Sequence, residues 1–314
     1  MAEVSKFNLV RIKYHKFIFF IRLEAGSRRI HPAPSLPPSL KPGPGDGPGN
    51  HHERKNEMHP LAPQVLTAKK RLLQMHFESG VGHIGGNLSC IDSLIVLYHQ
   101  VLKPDDLFVL SKGHSAGALY VTLWTLGRLK DEDLRLFHKE HTKLSGHPAP
   151  DWMREITFAT GSLGHGFGLS SGLSLGKKLQ GASGRVFCLT SDGEWEEGSN
   201  WEALIFAVHQ KLESLTVMVD WNGLQGFGTT KEVAGLDDLK KKFQSFGMKT
   251  EEIDGHDLGA LEKAWGTKKP GPRAIIAHTE KGRGISFMRN KMEWHYLPLT
   301  EEQYRQALGE LEKA

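Results

Sequence analysis

Apolar residues fall into two alternating rhythms along the chain. Short apolar runs at 106–110, 185–190 (RVFCLT) and 215–220 (LTVMVD) have the length of buried strands, and 249–253 and 274–278 read as later strands. Between and around them, apolar positions recur every three to four residues. That spacing predicts helices over 61–77, 88–102, 116–126, 201–209 (WEALIFAVH), 236–247, 258–265 and 299–313, with a surface helix at 131–139. Strand alternating with helix predicts an α/β fold, a doubly wound, mostly parallel sheet flanked by helices. Residues 225–235 read as a long loop, and 281–295 as a basic loop containing glycine.

The stretch 185–224 organises the rest, because it reads as strand, helix, strand. The first strand stops at Ser191-Asp192-Gly193 and the second at Trp221-Asn222-Gly223. Each therefore ends in an oxygen-bearing side chain at its C-terminal tip, the edge at which open parallel sheets bind ligands. One carboxylate and one carboxamide are hard donors, too few to cage a metal alone. They suit Mg²⁺, which keeps positions open for phosphate oxygens and water. Taken alone, the two residues also read as an ordinary turn Asp and turn Asn.

Glycines punctuate three further stretches. Gly82, Gly85 and Gly86 surround His83, which predicts a loop clear of side chains where the imidazole meets a ligand closely. Ser111-Lys112-Gly113-His114 follows another strand. The segment 161–176 (GSLGHGFGLSSGLSLG) predicts a helix whose glycine-rich start offers bare N–H groups to an anion. It lacks the GK[ST] ending of a Walker loop. Glycine inside a helix costs about 1 kcal/mol against Ala, so close approach of another backbone or a ligand is expected there.

These pieces together resemble one family. GHIGG (82–86), SKGH (111–114), SGHP (145–148), TGSLGHG (160–166), SDGE with Glu197-Gly198, DWNGL (220–224), DGHD (254–257) and KGRG…WH (281–295) occur in the order found in transketolases. The resemblance covers about residues 60–314, and it is to the N-terminal, thiamin diphosphate-binding subunit of a split transketolase. It implies that Asp192, the side chain of Asn222 and the main-chain carbonyl of Leu224 bind Mg²⁺, with Ca²⁺ or Mn²⁺ as substitutes. It implies that His114, Gly193, Asn222 and His295 contact thiamin diphosphate, and that Gly161, Ser162 and Leu163 line its side. Glu197 is similar to the acid that links cofactor sites across the interface between subunits. His83 and His295 are expected to move protons at sugar hydroxyls, a task matched to an ordinary imidazole pKa of about 6.5. His147 is expected to hydrogen-bond the transferred two-carbon ketol unit.

The implied reaction moves that unit from a ketose phosphate to an aldose phosphate, as in the pentose phosphate pathway. The family's pyrimidine-binding domain is expected on a C-terminal partner subunit, in an α2β2 assembly, with the chain inactive alone. Four positions depart from the family pattern: Ser191, Ser162, His165 and Tyr296 stand where glycine, proline, glutamine and glycine are usual. His165 and Tyr296 put the sugar in question. Two other readings stay open, the same chemistry on an unusual or branched sugar and a non-catalytic orphan subunit.

Composition narrows the partners. The net charge is +4, but residues 1–57 hold ten Lys/Arg against five Asp/Glu, which leaves the rest near −1. No nucleic-acid surface is expected on the folded body. The apolar run 17–21 is too short for a membrane span. Pro and Gly crowd 32–49, so 1–57 reads as a disordered extension or an upstream start before Met58, and 58–314 as the cofactor-binding domain. Cys90 and Cys188 lie in apolar runs without metal-like spacing and read as reduced core residues of a cytoplasmic protein.

Overall fold

The computed structural model describes residues 11–14, 17–20, 58–150 and 152–313. Two units divide the chain, Met1–Lys55 and Asn56–Ala314. In the first, β1 (Arg11–Tyr14) pairs antiparallel with β2 (Phe17–Phe20). The remainder of the expected disordered extension lies outside the described residues.

The second unit is the doubly wound α/β body that the alternating pattern predicts. Its order is α1 (Ala62–Ser79), α2 (Ile84–Val96), β3 (Leu107–Leu110), α3 (Ala116–Thr125), α4 (Asp131–Arg135), α5 (Gly166–Gln180), β4 (Val186–Ser191) and α6 (Gly198–His209). There follow β5 (Leu215–Trp221), α7 (Thr230–Ala234), α8 (Leu239–Ser245), β6 (Lys249–Asp254), α9 (Leu258–Gly266), β7 (Arg273–His278) and α10 (Glu301–Leu311). The five strands run parallel in the order β3-β4-β5-β7-β6.

Strand alternation divides the core between the two faces. Phe187, Leu189, Met218, Ile275 and Ala277 join one buried cluster with α1, α2, α3 and α9. Cys188, Val217, Val219, Ala274 and Ile276 join another with α6 and α8. Both cysteines are buried and free. Among the described residues no helix is long and apolar enough to cross a membrane.

Four elements differ from the pattern, one being α5, which starts at Gly166, five residues after the expected start, and runs to Gln180. The second helix starts at Ile84, four residues earlier than expected, so Gly85 and Gly86 lie in its first turn. They serve packing there. A Cβ on Gly85 would meet Trp294 at 3.1 Å, and the Gly86 carbonyl accepts from Lys112 and Ser115. The helix at 131 stops at Arg135, ahead of His138, which adopts the left-handed backbone region. The loop after β5 contains α7, closed by a capping box between Thr229 and Glu232.

Candidate functional site

The C-terminal tips of β3, β4, β5 and β7 converge. Ser191 pairs with Asp220 and Trp221 with His278, so the residues that follow each strand emerge side by side. Asp192 Oδ2 accepts from the main-chain N–H of Asn222 at 3.0 Å and of Gly223 at 2.6 Å, and Oδ1 accepts from Gly193 at 2.8 Å. The acid and amide that the sequence places at two strand ends thus form one unit. Asn222 Oδ1 accepts from the Leu224 N–H at 3.1 Å.

Charge around this unit is unbalanced. Burial, with Asp220 nearby, lifts the Asp192 carboxyl from its usual range to about 6. At neutral pH it remains an anion, and its hydrogen bonds come from main-chain N–H groups. Asp220 is compensated, because its carboxylate pairs with the buried Lys112 ammonium and accepts from Ser89 and Thr279. Burial opposes charge on Lys112, but Asp220 outweighs it and holds the ammonium protonated.

The Leu224 carbonyl accepts from the ammonium of Lys281 at 3.3 Å, so a cation already stands against one of the three expected metal donors. A buried carboxylate hydrogen-bonded by main-chain N–H groups, a carboxamide oxygen and this carbonyl are the kind of hard oxygen donors that a divalent ion takes. Among the described residues no three His, Cys, Asp or Glu side chains are grouped to hold a metal by themselves.

Four of the expected histidines meet beside this unit. The His83 ring centroid lies 5.1 Å from His295, 5.7 Å from His114 and 6.1 Å from His147, and His114 lies 5.5 Å from His295. His83 is left-handed at φ 66°, and its N–H donates to the His295 carbonyl at 3.1 Å, which ties two motifs distant in sequence. Asn87 Nδ2 donates to the carbonyls of both His83 and His114. Burial and the neighbouring cations push His83 to about 4 and His295 to about 3, while His114 sits well below its ordinary value. At neutral pH the imidazoles are uncharged, each with one donor and one acceptor nitrogen for hydroxyls.

Other expected residues fall around this centre. Gly161 stands against the His147 ring at φ 128°, where a Cβ would sit 2.6 Å from Cδ2. Gly193 stands against Gln225, Leu163 is half-buried and Ser162 is exposed. Glu197 is exposed at the N-cap of α6, outside the histidine group. His165 turns back onto the carbonyls of Ser162 and Leu163 at 3.2 and 3.1 Å. The Tyr296 hydroxyl donates to the Gly226 carbonyl at 3.2 Å. The glycine pattern of α5 has two meanings: a side chain at Gly166 would collide with Ser111, whereas Gly172 and Gly176 have nothing within 4 Å.

Sequence reasoning passed over Lys112, Asp220, Glu194 and Lys281. The Glu194 carboxylate accepts from Ser111 Oγ, the Ser191 N–H at 3.0 Å and the Gly164 N–H at 3.1 Å, joining three loops. The available signal was a charged residue inside each quoted motif, flanked by apolar strands.

A parallel sheet whose tips gather an acid–amide unit and neutral imidazoles defines a diphosphate-cofactor-binding α/β domain. Comparison makes the class specific. The profile of the family described as transketolase, thiamine diphosphate binding domain, matches residues 65–311, and the chain belongs to that family. A subunit of the apulose-4-phosphate transketolase of Actinobacillus succinogenes is 36% identical over 263 residues, spanning 80% of this chain and 95% of the relative. A subunit of the 6-deoxy-6-sulfo-D-fructose transketolase of a Clostridium species is 35% identical over 266 residues, 81% of this chain and 96% of the relative. The solved transketolase of Leishmania mexicana superposes with a TM-score of 0.74 at 25% identity, over 79% of this chain but only 41% of that one.

Proposed function

We propose that this chain is the cofactor-diphosphate half of a two-chain transketolase that moves a two-carbon ketol unit between sugar phosphates. The observation that carries the reading is the bonding of Asp192 to the Asn222 and Gly223 N–H groups beside four clustered histidines. Asp192, Asn222 and the Leu224 carbonyl hold Mg²⁺, which neutralises the cofactor's diphosphate. Lys281, His114 and Gly193 face the same charge. Thiamin diphosphate, when bound, supplies the nucleophilic carbon and the electron sink for C–C cleavage. The protein's own work is positional and protonic. His83 and His295 are uncharged and offer ring nitrogens to the hydroxyls of donor and acceptor. Burial lowers them to about 4 and about 3, below the range expected of a general base, so proton transfer through them requires that the bound substrate and cofactor raise these values, while His147 holds the ketol hydroxyl.

The partner supplies a pyrimidine-binding surface over the cofactor. Leu169, Ile205 and Phe206 are exposed on α5 and α6, and the open glycines of α5 leave room for a close helix approach there. Glu197, exposed at the N-cap of α6, is the acid we assign to the link with a second copy. Two of each chain complete two sites. The relatives named for apulose 4-phosphate and 6-deoxy-6-sulfo-D-fructose favour a specialised donor over the common pentose phosphates. We place the enzyme in the cytoplasm, in keeping with two buried free thiols.

Co-expression with candidate pyrimidine-domain chains, followed by a ketol-transfer assay with Mg²⁺ and thiamin diphosphate, tests this. Transfer is expected from the complex and not from either chain alone. A complex that binds the cofactor but transfers no ketol unit from any ketose phosphate contradicts the reading.

A further inference from the structure

Asp254-Gly255-His256-Asp257, one of the family motifs, stands outside the histidine group. It forms the turn between β6 and α9, in which the His256 N–H donates to Asp254 Oδ1 at 2.8 Å. Gly255 lets the turn close on the end of β7. Its N–H donates to the His278 carbonyl at 2.8 Å, and a Cβ there would collide with Thr279. The His256 ring is set between two neighbours. Nδ1 lies 2.9 Å from Asp92 Oδ2 in α2, and Nε2 lies 2.9 Å from the main-chain nitrogen of Glu280.

A main-chain N–H only donates, so Nε2 is the acceptor and the ring proton sits on Nδ1, pointing at Asp92. Burial opposes charge on Asp92, but Lys69 of α1, 2.7 Å from Oδ1, and then His256 outweigh it and hold the carboxyl below its ordinary range. The side chains of Asp92, His256 and Lys69 are 4, 7 and 11% exposed. An ammonium, a carboxylate and a neutral imidazole therefore run in series from α1 to the Glu280 N–H.

Glu280 immediately precedes Lys281, whose buried ammonium donates to the Leu224 carbonyl at 3.3 Å and lies 3.2 Å from His295 Nδ1. The chain on either side is anchored by main-chain partners: the Thr279 N–H donates to the Trp221 carbonyl and the Gly282 N–H to the Gly85 carbonyl. At Glu280 the anchor is a side chain, His256.

We propose that His256 is a positioning residue for Lys281: with its tautomer fixed by Asp92 and Lys69, it holds the Glu280 N–H and so places the Lys281 ammonium at the Leu224 carbonyl and His295. The inference rests on the ketol-transfer reading, with its cofactor at the strand tips, and adds a residue that touches neither cofactor nor sugar.

Thiamin diphosphate binding at saturating Mg²⁺, measured by calorimetry on the complex of this chain with its pyrimidine-domain partner, tests it. His256→Leu removes both hydrogen bonds and is expected to weaken binding about tenfold, the scale of lost support behind a binding group. His256→Gln keeps one donor and one acceptor in its amide and is expected to bind within about threefold of wild type. Asp92→Asn keeps the volume but reverses the tautomer. Lys69 claims the amide oxygen, the amide N–H faces Nδ1, and the ring proton moves to Nε2 against the Glu280 N–H; a loss of about threefold or more is expected. His256→Leu combined with Lys281→Met should match Lys281→Met alone to within about twofold, because a residue acting through Lys281 then has nothing left to place.

Additive losses in the double variant, or wild-type affinity in either His256→Leu or Asp92→Asn, overturn the proposal and leave cofactor binding standing. A loss in His256→Gln as large as in His256→Leu also overturns it, since the ring's hydrogen bonds are then not what matters. If His256→Leu fails to assemble, Asp92→Asn with and without Lys281→Met decides by the same comparison. A wild-type complex that binds no thiamin diphosphate overturns both this proposal and the ketol-transfer reading.

Discussion

Lys112 shows how much of this site depends on single buried charges. Its ammonium is sealed beneath the strand tips against Asp220 and the Gly86 carbonyl. Lys112→Met strands the Asp220 carboxylate in the interior, and breaking such a pair from one side costs about 3–5 kcal/mol. Chemical denaturation is expected to show a midpoint reduced accordingly; an unchanged midpoint would mean that Asp220 is compensated elsewhere. Protonation works on the same scale. The unfolded chain takes up protons at histidine near pH 6.5, whereas folded His83 resists until about 4 and His295 until about 3. Stability contributed by these neutral rings is complete above pH 6.5 and is lost as pH falls toward those values. Asp192, raised to about 6, acts in the opposite sense and gains as pH falls from 6 toward its unfolded value. With the lowered histidines outnumbering the two buried carboxyls that are raised, Asp192 and Glu194, the melting temperature is expected to drop between pH 7 and 5, and His83→Asn should make the drop shallower. A flat profile in the wild type would contradict the neutral-imidazole state. Asp192 and Asn222 were legible in sequence as strand-end turns, and the four histidines through the family motifs that hold them, His295 lying beside neither glycine nor strand end. Lys112 and Glu194 were not, since nothing local says which charge in a motif is buried, and burial here comes from segments distant in sequence.

Elements are tied to one another by polar side chains as much as by apolar faces. Glu194, at the tip of β4, pins the loop after β3 and the turn before α5 through hydrogen bonds from Ser111, Ser191 and Gly164. Beneath it Trp195 packs on Phe167, Trp201 and Phe243, with ring centroids 5.4, 5.4 and 4.3 Å apart. Hydrogen bonds to a charged group are each worth about 1.5–3 kcal/mol. Glu194→Ala is therefore expected to lower stability by about 3 kcal/mol and to weaken cofactor binding without touching the cofactor. Calorimetry on the complex checks both; wild-type values for either would separate the loops from this carboxylate. The five strands of the body and most of their helical neighbours were legible from period, whereas α5 was read from its glycines and α7 lay in a stretch read as loop. The start of α2 was not, because Gly85 and Gly86 read locally as loop and become helix only by packing against Trp294 and the His114 loop. Likewise α4 ends where His138 turns left-handed, a tertiary demand that helical spacing does not carry.

At the scale of the whole molecule, the body carries one face of a site and an exposed flank. It spans 95% of its apulose-4-phosphate transketolase relative but 41% of a solved transketolase. Leu169, Leu179, Ile205 and Phe206 stay exposed on α5 and α6. Burying such side chains is worth about 1.5–3 kcal/mol apiece, so Ile205→Glu with Phe206→Glu is expected to block assembly in analytical ultracentrifugation while the monomer keeps its melting temperature. A chain beginning at Met58 is expected to assemble and turn over like the full one; loss of either would give residues 1–57 a role. The most direct measurement is retention of thiamin diphosphate by the assembled complex, titrated with Mg²⁺, for wild type and Asp192→Ala. Retention should rise with Mg²⁺ in the wild type and stay near background in the folded variant. Equal Mg²⁺-dependent retention by both would contradict a cation held at the tips of β4 and β5.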